Sequence, residues 1–131
     1  MKRFLLIIFF ILLIQPVCAQ NWELVAKNDT VMFFIDISAI ENESGSISYS
    51  EKGIFKNTQV KDVPPWDIPF ISYIAKRNLD CINKTVTNIK VTTYQNDNIA
   101  NIEYYFDIEN STSRIKKDSF EDFVYKKICN P

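Results

Sequence analysis

The side chains in this chain that could do chemistry are three cysteines, Cys18, Cys81 and Cys129, and two close carboxylate pairs, Glu41 with Glu43 and Asp107 with Glu109. Histidine is absent. That removes the commonest general base, the commonest zinc ligand and the usual partner of a nucleophilic Ser or Cys. Paired carboxylates can run hydrolysis when their surroundings split their pKa values. Here Asp107 and Glu109 are expected on one strand face and Glu41 and Glu43 beside a polar loop, all as solvated edges. Two thiols without imidazole fall short of the four soft ligands of a structural zinc site. Only two glycines occur, too few for a phosphate-cradling loop. The expectation is a protein with no catalytic residues, no metal and no cofactor.

The cysteines take their meaning from the compartment, which the N-terminus indicates. Lys2 and Arg3 precede an unbroken apolar run from Phe4 to Ile14, Pro16 breaks it, and Val17-Cys18-Ala19 offers a small-residue cleavage site before Gln20. Eleven apolar residues make a helix of about 16 Å, short of a hydrocarbon core of about 30 Å. Residues 1–19 therefore read as a secretory signal peptide and 20–131 as a single exported domain, with no transmembrane segment after signal removal. A second reading makes Cys18 the lipidated residue of a lipoprotein signal. Such a signal wants Leu three positions upstream and Gly, Ala or Ser just before the cysteine, where this chain has Gln15 and Val17. With Cys18 discarded, Cys81 and Cys129 remain, and an oxidising compartment makes a disulfide between them the default. Two buried free thiols are the alternative.

Of 131 residues the leader takes 19, and the remaining 112 are one domain's worth of chain. The 15 basic and 16 acidic residues become 13 and 16 once Lys2 and Arg3 are removed, a formal charge of −3. A mildly acidic domain has no electrostatic footprint for nucleic acid. A hydrophobic content of 47%, with 14% aromatic, is that of a folded protein.

The elements that would carry these residues are strands followed by one helix. Trp22–Lys27 is a short apolar start. Val31–Asp36 is apolar on both parities, the pattern of a strand buried on both faces. Ser46–Ser50 alternates serine with Ile47 and Tyr49 and continues towards Phe55 as a half-solvated strand. Lys56–Pro69 contains Pro64, Pro65 and Pro69 and reads as a connector, since proline cannot sit in a central strand. Phe70–Leu79 resumes the strand pattern with Ile71, Tyr73, Ala75 and Leu79 on one parity. Thr85–Tyr94 and the alternating run from Ile99 to Ile108 form a hairpin about the polar turn Gln95-Asn96-Asp97-Asn98. Phe120, Phe123, Val124, Lys127 and Ile128 then recur at helical spacing, so Ser119–Ile128 reads as an amphipathic helix capped by Asp118 or Ser119. The fold class is α+β: an antiparallel β-sheet of about six strands, one C-terminal α-helix on a face of it, and Cys81–Cys129 tying the helix to the sheet.

Two features could make a contact surface. Val63-Pro64-Pro65-Trp66-Asp67-Ile68-Pro69 is stiff and apolar, and proline lowers the entropy cost of binding while Trp is a favoured anchor. Pro64, Pro65 and Trp66 are thus the candidate partner-binding residues, with Trp66 folded back over a sheet edge as the alternative. Lys76-Arg77 and Arg114–Lys117 are small basic clusters, each expected to be solvated. Asn-x-Ser/Thr sequons begin at Asn28, Asn42, Asn83 and Asn110; in so Asn-, Ser- and Thr-rich a chain they are expected by chance.

Taken together, Trp22, the aromatic strand ending in Asp36-Ile37-Ser38-Ala39-Ile40, the strand ending in Leu79-Asp80-Cys81, the strand ending at Tyr94 and the helix ending at Cys129 resemble the surface-adhesin protein E family of Gram-negative bacteria. The resemblance covers roughly residues 22–129. It implies an antiparallel sheet with a disulfide-tied C-terminal helix, and a surface-exposed protein that binds host extracellular-matrix proteins or host cells. Only the two cysteines carry over residue by residue. The partner expected is a protein, either a host matrix protein or, for a soluble periplasmic binding or inhibitor module, an envelope protein. The localisation expected is the periplasm or outer-membrane surface of a Gram-negative bacterium.

Overall fold

The computed structural model describes residues 20–96 and 98–130. Residues 1–19, read above as a signal peptide, and with them Cys18, lie outside the described residues. Eight strands run in chain order as β1 (Trp22–Lys27), β2 (Val31–Asp36), β3 (Glu41–Glu43), β4 (Ser46–Gln59), β5 (Phe70–Asp80), β6 (Thr85–Asn96), β7 (Ile99–Tyr105) and β8 (Thr112–Arg114), before helix α1 (Phe120–Cys129). The main sheet has the order β1-β2-β4-β5-β6-β7, all antiparallel, with β3 added beside β4 and β8 beside β6. This is the expected α+β sheet of six strands plus two short ones that the sequence hides in polar loops. β3 forms because Ser44 and Gly45 both adopt positive φ, 53° and 87°, the conformation of a two-residue hairpin turn.

Residues opposite one another in the register share a face, and the register sorts the molecule into two sides. On one side stand Phe33 and Ile35 of β2, Ile47, Tyr49, Glu51 and Gly53 of β4, Tyr73, Ala75, Arg77 and Leu79 of β5, and Val91 and Thr93 of β6. Two covers lie on that face. Helix α1 brings Val124, Tyr125 and Ile128 against Ile35, Ile47, Tyr49, Leu79 and Val86. The loop after β4 brings Trp66 against Phe70, Tyr73, Ala75 and Val91. The other face carries Ser48, Ser50, Lys52, Lys76 and Thr92 and stays open.

Several local readings differ from what the chain does. β2 is not buried evenly on both faces: Val31 and Ile35 are buried, whereas on the other parity Met32 is exposed and only Asp36, which accepts from the Asn21 and Ser38 amides, is buried. β4 runs on to Gln59, so the connector begins at Val60. Helix α1 buries Asp122, Val124 and Tyr125 and leaves Phe123 exposed. Its rotation is fixed by Cys129 at one end and by Glu121, bonded to Arg77, at the other. Ser119 caps it by accepting a hydrogen bond from the Asp122 amide. Glu121 and Asp122 lie in the first turn and Lys126 and Lys127 in the last, each sign at the dipole end that favours it. The Cys81–Cys129 bridge joins the end of β5 to the end of α1, with Cα atoms 5.6 Å apart.

Candidate functional site

Trp66 folds onto the sheet. Its ring centroid lies 5.2 Å from that of Phe70 and 5.4 Å, edge-on, from that of Tyr73, while Phe55 meets Phe70 at 5.7 Å. Pro65 is fully buried beneath the loop, whereas Val63 and Pro64 are exposed and Trp66 keeps part of its surface in solvent. The loop closes on itself through Lys61 N–H donating to the Trp66 carbonyl and Trp66 N–H donating to that of Val63. The three candidate residues therefore divide: Pro65 is a wedge, Pro64 a rim, and Trp66 both a cover for the core and a surface. Beside it opens a cleft of about 330 Å³, walled by Phe33, Phe55, Trp66, Phe70 and Tyr73 and bordered by Gln59, Lys61 and Arg77. Phe33 in turn stacks on Phe120 of the helix at 4.1 Å, so one wall of the cleft abuts the helix.

Under the cleft is a charge cluster that sequence reasoning missed. The Arg77 guanidinium bridges Glu51 Oε1 through Nη2 and Glu121 Oε1 through Nη1, each at 3.0 Å. Glu51 is fully buried, and the Tyr73 hydroxyl donates to the same Oε1 at 3.1 Å. Burial is the largest influence on this carboxyl and pushes it up to about 7, against the opposing pull of Arg77 and of the Tyr73 hydroxyl. The same burial, with Glu51 adding to it, raises the Tyr49 and Tyr73 hydroxyls. Arg77 is held charged, its desolvation outweighed by Glu51 and the groups around it. A cation bonded to two carboxylates, one from the neighbouring strand and one from the helix, joins sheet to helix.

Gly53 makes room for this arrangement. A Cβ there would lie 2.3 Å from Cε1 of Tyr73, so the tyrosine ring rests on bare backbone. The signal was present in the alternation of β4 and β5, which puts Glu51 in line with Ile47 and Tyr49, and Arg77 in line with Tyr73 and Leu79.

The remaining candidates separate. Lys76 and Arg77 are neighbours on a strand and point to opposite faces, so only Lys76 is solvated. Arg114, Lys116 and Lys117 are exposed. Glu41 and Glu43 border a polar groove on the open face with Ser46, Ser48 and Lys76. Asp107 and Glu109 do not share a strand face: β7 has ended, and Asp107 caps a short helical turn by accepting from the Glu109 amide and from Asn110. All four sequon asparagines work in turns. The side chains of Asn28 and Asn42 accept from nearby amides, and those of Asn83 and Asn110 donate to Asp80 and Asp107. Among the described residues no helix is long and apolar enough to cross a membrane, and no cluster of His, Cys, Asp and Glu is placed to hold a metal ion.

A family model described as surface-adhesin protein E matches residues 22–130. Among solved structures, crystal form II of Haemophilus influenzae protein E is similar with a TM-score of 0.60 at 14% identity, over 83% of this chain and 87% of that one. Another structure of Haemophilus influenzae protein E is similar with a TM-score of 0.58 at 14% identity, covering 90% and 91%. Protein E from non-typeable Haemophilus influenzae gives 0.55 at 14% identity, over 88% and 80%. No protein of curated function matches the chain by sequence.

Proposed function

This chain belongs to the surface-adhesin protein E family, and from that membership we propose that it is an exported, non-catalytic protein-binding module that contacts its partner through the Pro64–Trp66 loop. The partner class that family membership favours is a host extracellular-matrix protein or host-cell surface. The observation that carries the choice of surface is Trp66: partly exposed, yet seated on Phe70 and Tyr73, it is an aromatic anchor already fixed before a partner arrives. A second reading, a soluble periplasmic module acting on an envelope protein, is favoured by the leader, which lacks Leu at position 15 and a small residue at 17.

Protease shaving of whole cells, joined to intact mass of the mature protein, separates the two readings. A protease-sensitive chain that adheres to immobilised matrix proteins supports the adhesin. A protected chain starting at Gln20 overturns it in favour of the periplasmic module. Trp66→Ala is expected to weaken binding to whichever partner is captured by about tenfold or more, with thermal melting as the control for folding. The exposed Val63→Lys serves as a second variant. If both variants bind as the wild type does, the loop is not the contact surface.

A further inference from the structure

We propose that the cleft between the sheet and the Trp66 loop is a binding site for an apolar carboxylate: an aromatic or branched aliphatic group carrying one negative charge. This rests on the reading of Trp66 as a contact residue and names what that contact takes. Five aromatic rings wall a space of about 330 Å³, a size and lining suited to one small ligand or one anchoring side chain. The charges at its border are of a single sign. Lys61 and Arg77 line it, and no carboxylate does.

Arg77 is spoken for by Glu51 and Glu121. Lys61 has no ion-pair partner among the described residues, and its ammonium lies 5.9 Å from the centroid of the Trp66 ring. It is therefore the free positive charge at the mouth of an apolar space, in a chain whose formal net charge is −1. A cationic guest would meet Lys61 already on the Trp66 face. A neutral guest would leave the ammonium unanswered. A guest with a ring or branched chain in the cleft and a carboxylate at Lys61 answers both. A free acid and the C-terminal residue of a polypeptide present the same chemistry.

The test uses the oxidised mature protein and three probes that differ in charge: phenylpropionate, its amide, and phenethylamine. Binding is read from the indole N–H signal of Trp66 by NMR, assigned with Trp66→Phe. The expected result is saturable binding of the acid, about three- to tenfold tighter than the amide, with phenethylamine weakest. Lys61→Gln changes an exposed side chain and is expected to bring acid and amide to equal affinity.

A peptide ending in free phenylalanine that binds tighter than phenylpropionate would identify a polypeptide C-terminus as the source; equal affinity would identify a small acid. No saturable shift at Trp66, equal affinity for acid and amide in the wild type, or a preference for phenethylamine would each overturn the proposal. Loss of partner capture in Trp66→Ala without any probe binding would sink the carboxylate site and leave the contact surface standing. Probe binding with partner capture indifferent to Trp66 would do the reverse.

Discussion

Replacing Glu51 by Gln removes the one described carboxyl that is shifted above its ordinary pKa. In the unfolded chain this carboxyl titrates at 4.5, and in the folded protein at about 7. Below pH 4.5 it is protonated in both states and contributes its full stability. Between those values the unfolded chain gives up a proton that the folded chain keeps, so stability falls as pH rises, and it levels off above about 7. At roughly 1.4 kcal/mol for each pH unit between the two pKa values, the loss across the window is about 3 kcal/mol. For a domain of about 110 residues this lowers the melting temperature by on the order of 10 °C between about pH 5 and pH 8.

No other described group with a perturbed pKa interferes there. Asp36, whose burial is outweighed by hydrogen bonds from Ser38, Asp80, bonded by Asn83, Glu103, bonded by Lys90, and Asp122, bonded by the Asp118 amide, all lie below their ordinary values. Their stabilisation is lost only as pH falls through their ordinary values, 3.8 for the aspartates and 4.5 for Glu103, and below. Calorimetric melts of wild type and Glu51→Gln over this range, at fixed salt, decide the matter. Gln keeps an acceptor for the Tyr73 hydroxyl, so the variant is expected to fold and to melt at a temperature nearly independent of pH in the window. Parallel wild-type and variant curves, or a wild type that gains stability with rising pH, would refute the upward shift of Glu51.

Two further outcomes follow from the covers on the sheet. Cys81→Ser opens a bridge between residues 48 apart in sequence and is expected to cost about 4 kcal/mol; equal denaturation midpoints for oxidised protein and variant would show that the helix is held without it. Gly53→Ala drives a methyl group to 2.3 Å from the Tyr73 ring and is expected to cost about 1–3 kcal/mol, with a changed near-UV spectrum as the ring shifts. Unchanged stability there would mean that Tyr73 has room to move, against its bond to Glu51.

The antiparallel sheet, the hairpin of β6 and β7, the helix and the disulfide were legible because each rests on local pattern: alternation in β4, β5 and β7, a period change at Phe120, and two cysteines behind a leader-like N-terminus. The charge cluster was not. Lys76 and Arg77 look like one basic patch when read as neighbours, but a strand sends successive side chains to opposite faces. The same rule, applied to the inward parity of β4, would have put Glu51 among Ile47 and Tyr49 and asked for its partner. The helix face failed for a different reason. Phe120, Val124 and Ile128 belong to a face that closes with either Phe123 or Tyr125, and helical spacing alone does not choose. Tertiary contacts do: the Tyr125 hydroxyl donates to the Cys81 carbonyl, and Lys127 bonds to Glu23 of β1.

These two omissions have a common consequence for the cleft. Its walls come from elements far apart in sequence, Phe33 on β2, Phe55 on β4, Trp66 on the loop and Tyr73 on β5, and no local pattern brings them together. What brings them together is the sheet register, which sets Phe33 and Tyr73 on either side of Gly53, with the loop folded over them. The helix is set against the sheet by the disulfide and by Arg77 reaching Glu121, while the loop is set by Trp66 resting on Phe70 and Tyr73. Tyr73 belongs to both systems, since its ring walls the cleft and its hydroxyl donates to Glu51. The buried carboxylate therefore holds the aromatic wall in place without lining the cleft itself, and a change at Glu51 or Gly53 is expected to reach the cleft through that ring. The Lys61 side chain is exposed and stands outside this buried network, which is why replacing it tests the charge at the mouth apart from the buried cluster.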